Sequence, residues 1–216
     1  MNKILLVTRP KYDDATEYLA FYAGLIIKQA KDKNIDCKDF EGETANSKNI
    51  TKFIHKKDPS LCFINGHGTE TFLYGHKDEI IFDNKNCKIL NNRIIYARAC
   101  DAGALLGRRI VKENEGCFIG YQWPFSFIID SKWSTKPHND KVAALFLEPS
   151  NLVVNSLLKG NETNEANAKS RSKILENIKE VMKMKDKEDS EKLVLIKYLY
   201  LNYDGQVIHG NKSLVF

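Results

Sequence analysis

The sequence has no CxxC pair, and its five cysteines stand far apart, at 37, 62, 87, 100 and 117. An odd, scattered set argues against a disulfide framework, and the missing pair spacing argues against a cysteine-rich zinc site. Long apolar runs are missing too. None approaches the roughly 18–20 residues of a membrane span, and the opening MNKILLVTRP carries only Ile4 to Val7, against about 7–15 apolar residues in an export signal. The chain ends in NKSLVF, with no prenylation box. Neither GxxxxGKS/T nor GxGxxG occurs, so nucleotide binding through those loops has no support. Charge of one sign is not concentrated either. The net charge of +5 divides into +3 over residues 1–150 and +2 over 151–216, which disfavours direct nucleic-acid binding. There is no internal repeat, and the longest biased stretch is KMKDKEDSEK at 183–192. Reduced thiols and no export signal point to the cytoplasm, with no membrane partner.

What is present suits a folded domain. The 216 residues are 43% apolar and 28% charged, enough for a core without staples. KILLV (3–7) is a buried-strand run, and Asp13 and Asp14 offer an N-cap to a helix over 13–33. NIDCKDF (34–40) reads as a strand, and 45–57 as a short helix stopped by Pro59. LCFIN (61–65), RIIYARA (93–99) and GCFIGY (116–121) are further buried strands, with a hairpin of TFLY and EIIF around GHKD (75–78). Residues 104–112 suit a helix, and 140–158 a helix interrupted at Pro149. From Lys159 to Lys192 lie nine Lys/Arg and eight Asp/Glu, with Ile174, Leu175, Ile178, Val181 and Met182 at helical steps. That pattern reads as a solvated amphipathic helix over one sheet face. Leu193 to Leu201 is a helix or a strand, and QVIHG (206–210) a short last strand. The alternation predicts an α/β fold, with a mostly parallel sheet and helices on both faces. The expected organisation is one domain over 1–216, with 159–203 as a charged helical addition.

Ligands and catalytic groups of a parallel sheet collect beyond the carboxyl ends of its strands. Two ends here carry reactive residues: LCFIN runs into Gly66-His67-Gly68, and RIIYARA into Cys100-Asp101-Ala102-Gly103. As neighbours, these strands bring an imidazole to a thiol, which is what a nucleophilic cysteine needs. Gly66, Gly68 and Gly103 allow sharp turns that leave N–H groups uncovered. A helix starting near Ala104 would favour a thiolate through its N-terminus.

FINGHG (63–68) and YARACDAG (96–103) resemble the histidine and nucleophile motifs of the caspase–gingipain–separase group of cysteine peptidases, the bacterial CHAT domains above all. EGCFIGYQWPF (115–125) is similar to the strand that follows the nucleophile helix there. The resemblance implies a caspase-like three-layer sandwich, a cysteine endopeptidase and no cofactor. By it Cys100 attacks the scissile carbonyl, His67 protonates the leaving amine, and the N–H groups of Gly68 and Cys100 hold the oxyanion. A basic P1 residue would meet Asp101 or Asp130, with Trp123 and Trp133 as walls. The motif departs from caspases at Arg98, where they carry Gln, and at Ala102, where they carry Gly. The 33 residues from His67 to Cys100 also fall short of the caspase gap of roughly 50.

The remaining candidates are weaker. Cys37, Cys62, Cys87 and Cys117 have no such setting, and Cys62 and Cys117 read as packing residues inside strands. His55 and His76 lie in a helix end and a turn, His138 in a loop, and His209 near the C-terminus. No spacing among His67, His76 and Cys100 fits a metal. The expected partners are a protein substrate and an activating protein in trans. Two alternatives stand beside the peptidase: a catalytically silent caspase-fold interaction module docking through 161–192, and a small-molecule-binding α/β domain.

Overall fold

The structure is a computed structural model that describes residues 2–111 and 116–216. Two sequence expectations reach past them: Lys112, at the end of the 104–112 helix, and Glu115, at the head of the 115–125 stretch, lie outside the described residues. Five parallel strands form the sheet: β1 (Asn2–Arg9), β2 (Asp36–Glu41), β3 (Pro59–Asn65), β6 (Ile94–Arg98) and β7 (Cys117–Tyr121). Between β3 and β6 in the chain, β4 (Leu73–Tyr74) and β5 (Ile80–Phe82) make the expected hairpin as a separate antiparallel pair. β8 (Gln206–Gly210) adds an antiparallel edge to β7, giving the order β2-β1-β3-β6-β7-β8.

Side chains alternate across a strand, so a run buried on both faces feeds two cores. Leu61 and Phe63 of β3 and Ile94 and Tyr96 of β6 enter one core, Cys62, Ile64, Ile95 and Ala97 the other. The first core is covered by α1 (Asp14–Asp32) and α4 (Lys141–Leu157), the second by α2 (Ser47–Lys57), α3 (Leu106–Ile110) and the hairpin. This is the α/β sandwich expected from the alternation.

Three segments differ from the sequence reading. α3 has five residues and starts at Leu106, because Gly103, Ala104 and Gly107 spend their N–H groups on the carbonyls of Tyr121, Asp101 and Ala102. α4 runs unbroken through Pro149. Proline removes the donor that would meet the carbonyl four residues back, and here Asn177 Nδ2 donates to Leu145 O at 2.7 Å instead. The charged stretch is two helices, α5 (Thr163–Lys183) and α6 (Asp189–Gly205). α5 packs along α4 with Ile174 and Val181 inward, and α6 closes a third core with Leu195 and Leu199. Leu175 and Met182 of the expected apolar face stay in solvent. Among the described residues no helix is long and apolar enough to cross a membrane.

Candidate active site

The parallel ladder between β3 and β6 pairs Asn65 with Arg98. Two residues beyond that rung lie His67 and Cys100, so both leave the sheet at the same edge and level. Gly66 turns the chain at φ +141°, where a side chain would meet Tyr74 O at 2.8 Å and Pro10 Cγ at 3.1 Å. Gly68 lies against the Cys100 turn, where a Cβ would stand 2.7 Å from Cys100 O. The hairpin fixes the histidine backbone from outside: Tyr74 N donates to His67 O at 3.1 Å, and Thr69 N to Phe72 O at 2.9 Å.

His67 is held by a residue that the sequence offered only as a helix cap. Asp13 does cap α1, accepting Thr16 N on Oδ1 at 2.7 Å. Its other oxygen lies 2.7 Å from His67 Nε2. Burial raises the Asp13 carboxyl, but the hydrogen bonds from His67 and Thr16 outweigh it and hold the group below its ordinary value. With side chains 40% and 39% exposed, the pair stays within reach of a bound molecule. Tyr12 stands edge-on to both His67 and His76, and its hydroxyl donates to Asp78 at 2.5 Å. His67 Nδ1 makes no hydrogen bond among the described residues. The signal for Asp13 was topological: an acid just past β1, in the strand order next to β3, stands on the same sheet edge as His67.

Cys100 is partly buried and directs its thiol to Phe125 O at 3.8 Å, not to His67. Burial pushes the thiol above its ordinary value; the Phe125 bond works against this and the nearby Asp101 charge adds to it. The expected help from a helix at Ala104 is absent, since α3 begins later and is a single short turn. Asp101 takes φ 57°, and its N–H meets Trp123 O at 3.4 Å. Burial and then the Glu70 charge raise its carboxyl. From β8, His209 Nε2 lies 2.7 Å from Gly103 O. The N–H groups of Gly68 and Cys100 donate to no described residue.

Among the described residues the side chains of Asp130, Trp133 and Trp123 make no hydrogen bond to Cys100 or His67, and each has other partners. Asp130 caps a turn by accepting Lys132 N at 3.0 Å, and its N–H donates to Asp140. The carbonyl of Trp133 accepts from Tyr18, and Lys132 lies over its ring. Trp123 donates to Asp204 of α6 at 3.0 Å. Cys62, Cys87 and Cys117 are buried, as packing residues. No group of three His, Cys, Asp or Glu suited to a metal occurs among the described residues.

Comparison with known proteins gives a fold rather than a family. The chain is similar to a solved complex of Porphyromonas gingivalis RgpB pro- and mature domains, with 15% identity and a TM-score of 0.57. The match covers 99% of this chain and 48% of that one, so the chain spans about half its length. The shared architecture is the caspase-like α/β fold. A family model described as an MLPTv-like helix-turn-helix domain matches residues 42–123. The described part of that range runs from α2 directly into β3, and α2 and α3 are separated by four strands, so it contains no helix-turn-helix. No curated protein matches the chain.

Proposed function

We propose that the chain is a cysteine peptidase that cleaves a protein substrate through Cys100 and His67, with Asp13 positioning the imidazole. The observation that carries this reading is the Asn65–Arg98 rung, from which His67 and Cys100 each stand two residues on, past the ends of neighbouring parallel strands. The likeness to the RgpB domains and the FINGHG and YARACDAG motifs support it from fold and sequence.

In this mechanism His67 Nδ1 takes the thiol proton while Nε2 stays on Asp13. The sulfur attacks the scissile carbonyl carbon, and the oxyanion takes the free N–H groups of Gly68 and Cys100. The carbon–nitrogen bond breaks as the imidazolium gives its proton to the leaving amine. Water, deprotonated by His67, then adds to the thioester, and the sulfur–carbon bond breaks to release the acid and the thiol. Asp13 orients the ring and balances its charge.

One observation favours a second reading, a silent interaction module: the raised thiol bonds Phe125 O and leaves His67. On the peptidase reading this is a resting state, from which substrate or an activating protein turns the sulfur to the imidazole. The RgpB structure is itself an assembly of a pro- and a mature domain, which fits control by a protein partner. The deciding experiment is a proteome-wide search for new peptide termini. Fragments made by the native chain and not by Cys100→Ala support the peptidase. Partner capture that survives a Cys100→Ala, His67→Ala double change, with no such fragments, supports the module.

A further inference from the structure

The cavity that shares Phe125 with the Cys100 thiol's hydrogen bond has a composition that bears on the substrate. It has a volume of 380 Å³ and is lined by Ala15, Phe125, Phe127, Ile128, Ile129 and Tyr198, together with Ser126. Neither Cys100 nor His67 lines it, but both are one step away: its wall residue Phe125 accepts from the Cys100 thiol through its carbonyl, and its wall residue Ala15 follows two residues after Asp13, which bonds His67. No lining residue carries a formal charge at neutral pH. A cationic side chain seated among these residues would meet no carboxylate and would lose hydration on apolar walls; the acids Asp130 and Glu191 line the neighbouring hollow, beyond Ile128 and Ile129.

The wall of this cavity also offers free peptide groups. Asn202 of α6 holds Ser126 at both backbone atoms, accepting its N–H at 2.9 Å and donating to its carbonyl at 2.6 Å. The next three residues, Phe127, Ile128 and Ile129, make no backbone hydrogen bond among the described residues. A fixed segment with unspent N–H and C=O groups, running beside an apolar cavity, suits a peptide that pairs its main chain and buries a side chain. Asp101, whose charge acts on the thiol, and Glu70, whose charge acts on Asp101, belong to the turns after β6 and β3 and do not line the cavity.

We infer that the substrate presents a bulky apolar side chain, of the Leu, Phe or Tyr kind, on the amino side of the scissile bond, and that this cavity receives it. The inference rests on the peptidase reading above and replaces the expectation of a basic residue at that position.

Peptidyl chloromethyl ketones that differ only in the residue next to the ketone test it. The thiolate displaces chloride, a sulfur–carbon bond forms, and intact mass with peptide mapping gives the rate at Cys100. The expected result is modification by the Phe and Leu reagents at least about tenfold faster than by the Arg, Lys and Asp reagents, the discrimination typical of a hydrophobic pocket. Ile129→Glu should reverse the order between the Phe and Lys reagents, read as the ratio of the two rates within the same folded variant. Tyr198→Glu, on α6, repeats the test should the first variant fail to fold. Faster reaction of the Arg or Lys reagent with the native chain overturns the inference, leaves the peptidase reading standing, and points to Asp101 and Glu70. An unchanged Phe preference in folded variants also overturns it. If no peptidyl reagent outpaces iodoacetamide at Cys100, the inference falls, and the peptidase reading falls with it only if the search for new peptide termini also finds no fragment that depends on Cys100.

Discussion

Asp13 Oδ2 and His67 Nε2 are 2.7 Å apart, so one carboxylate both caps α1 and orients the imidazole. The two tasks use different oxygens and come apart by substitution. Asparagine is as good an N-cap as aspartate but carries no charge. On the peptidase reading, Asp13→Asn is expected to keep the cap and lower the neutral-pH melting temperature only by what the charge on His67 contributes, while kcat/KM falls about 10²-fold, the scale of general acid–base catalysis. Asp13→Ala should lose the cap as well, at about 1 kcal/mol. A calorimetric scan beside a cleavage assay checks both.

The same carboxyl gives a pH signature. Its value in the fold lies below the ordinary 3.8, so the unfolded chain binds its proton more readily. Its stabilising contribution is therefore complete above that ordinary value and is lost as pH falls through the lower folded one. Melting temperature followed from neutral pH into acid should drop less steeply for Asp13→Asn than for the native chain. Parallel curves would count against a held carboxylate.

Cys100 should behave as a resting thiol. Burial raises it above the ordinary 9.0, so at neutral pH it is protonated, and its reaction with iodoacetamide should climb with pH toward a midpoint above that value. Asp101→Asn removes the neighbouring negative charge and should move the midpoint down. Cys62, Cys87 and Cys117, all buried, should react more slowly than Cys100 at every pH. A Cys100 midpoint below the ordinary value would mean that the thiol is already activated.

How far the sequence reveals this site follows from where each signal lies. LCFIN and RIIYARA are apolar without a break because they are buried on both faces, so their ends, and His67 and Cys100 just beyond, were legible. The partnership of Asp13 with His67 was not, because it joins residues 54 apart through strand order. The antiparallel sense of β8 was equally hidden, since QVIHG reads the same in either direction of pairing. The helix expected over 104–112 starts later because its first residues suit a helix but are spent closing the turn after Cys100 onto β7.

Pro149 misled for a reason that yields its own prediction. Its local signal is a break, yet α4 continues because Asn177 Nδ2 meets the orphaned Leu145 carbonyl at 2.7 Å. Asn177→Ala should destabilise by about 1–3 kcal/mol by leaving that carbonyl unmet. Pro149→Ala restores a backbone donor to the same carbonyl, so the double variant should recover much of the loss. A thermodynamic cycle over the four proteins reads the coupling, and strictly additive losses would refute the compensation.

His209 links the last strand to the turn after Cys100, and its chemistry predicts a second pH effect. Nε2 lies 2.7 Å from Gly103 O, three residues beyond Cys100. Burial lowers the imidazole below the ordinary 6.5; the Gly103 bond opposes this, and the charges of Arg108 and Lys212 add to it. The fold thus favours neutral His209, and the stability this contributes is present above 6.5 and lost as pH falls through the folded value. His209→Gln keeps a side-chain N–H for the carbonyl but cannot titrate. It should match the native melting temperature near pH 8 and exceed it on the acid side. His209→Ala should be about 1 kcal/mol less stable at pH 8 from the lost hydrogen bond. If Gly103 holds the turn in place for the thiol, His209→Ala should also change the rate of Cys100 modification by iodoacetamide, and His209→Gln should not. Equal rates in both variants would leave His209 a role in stability alone.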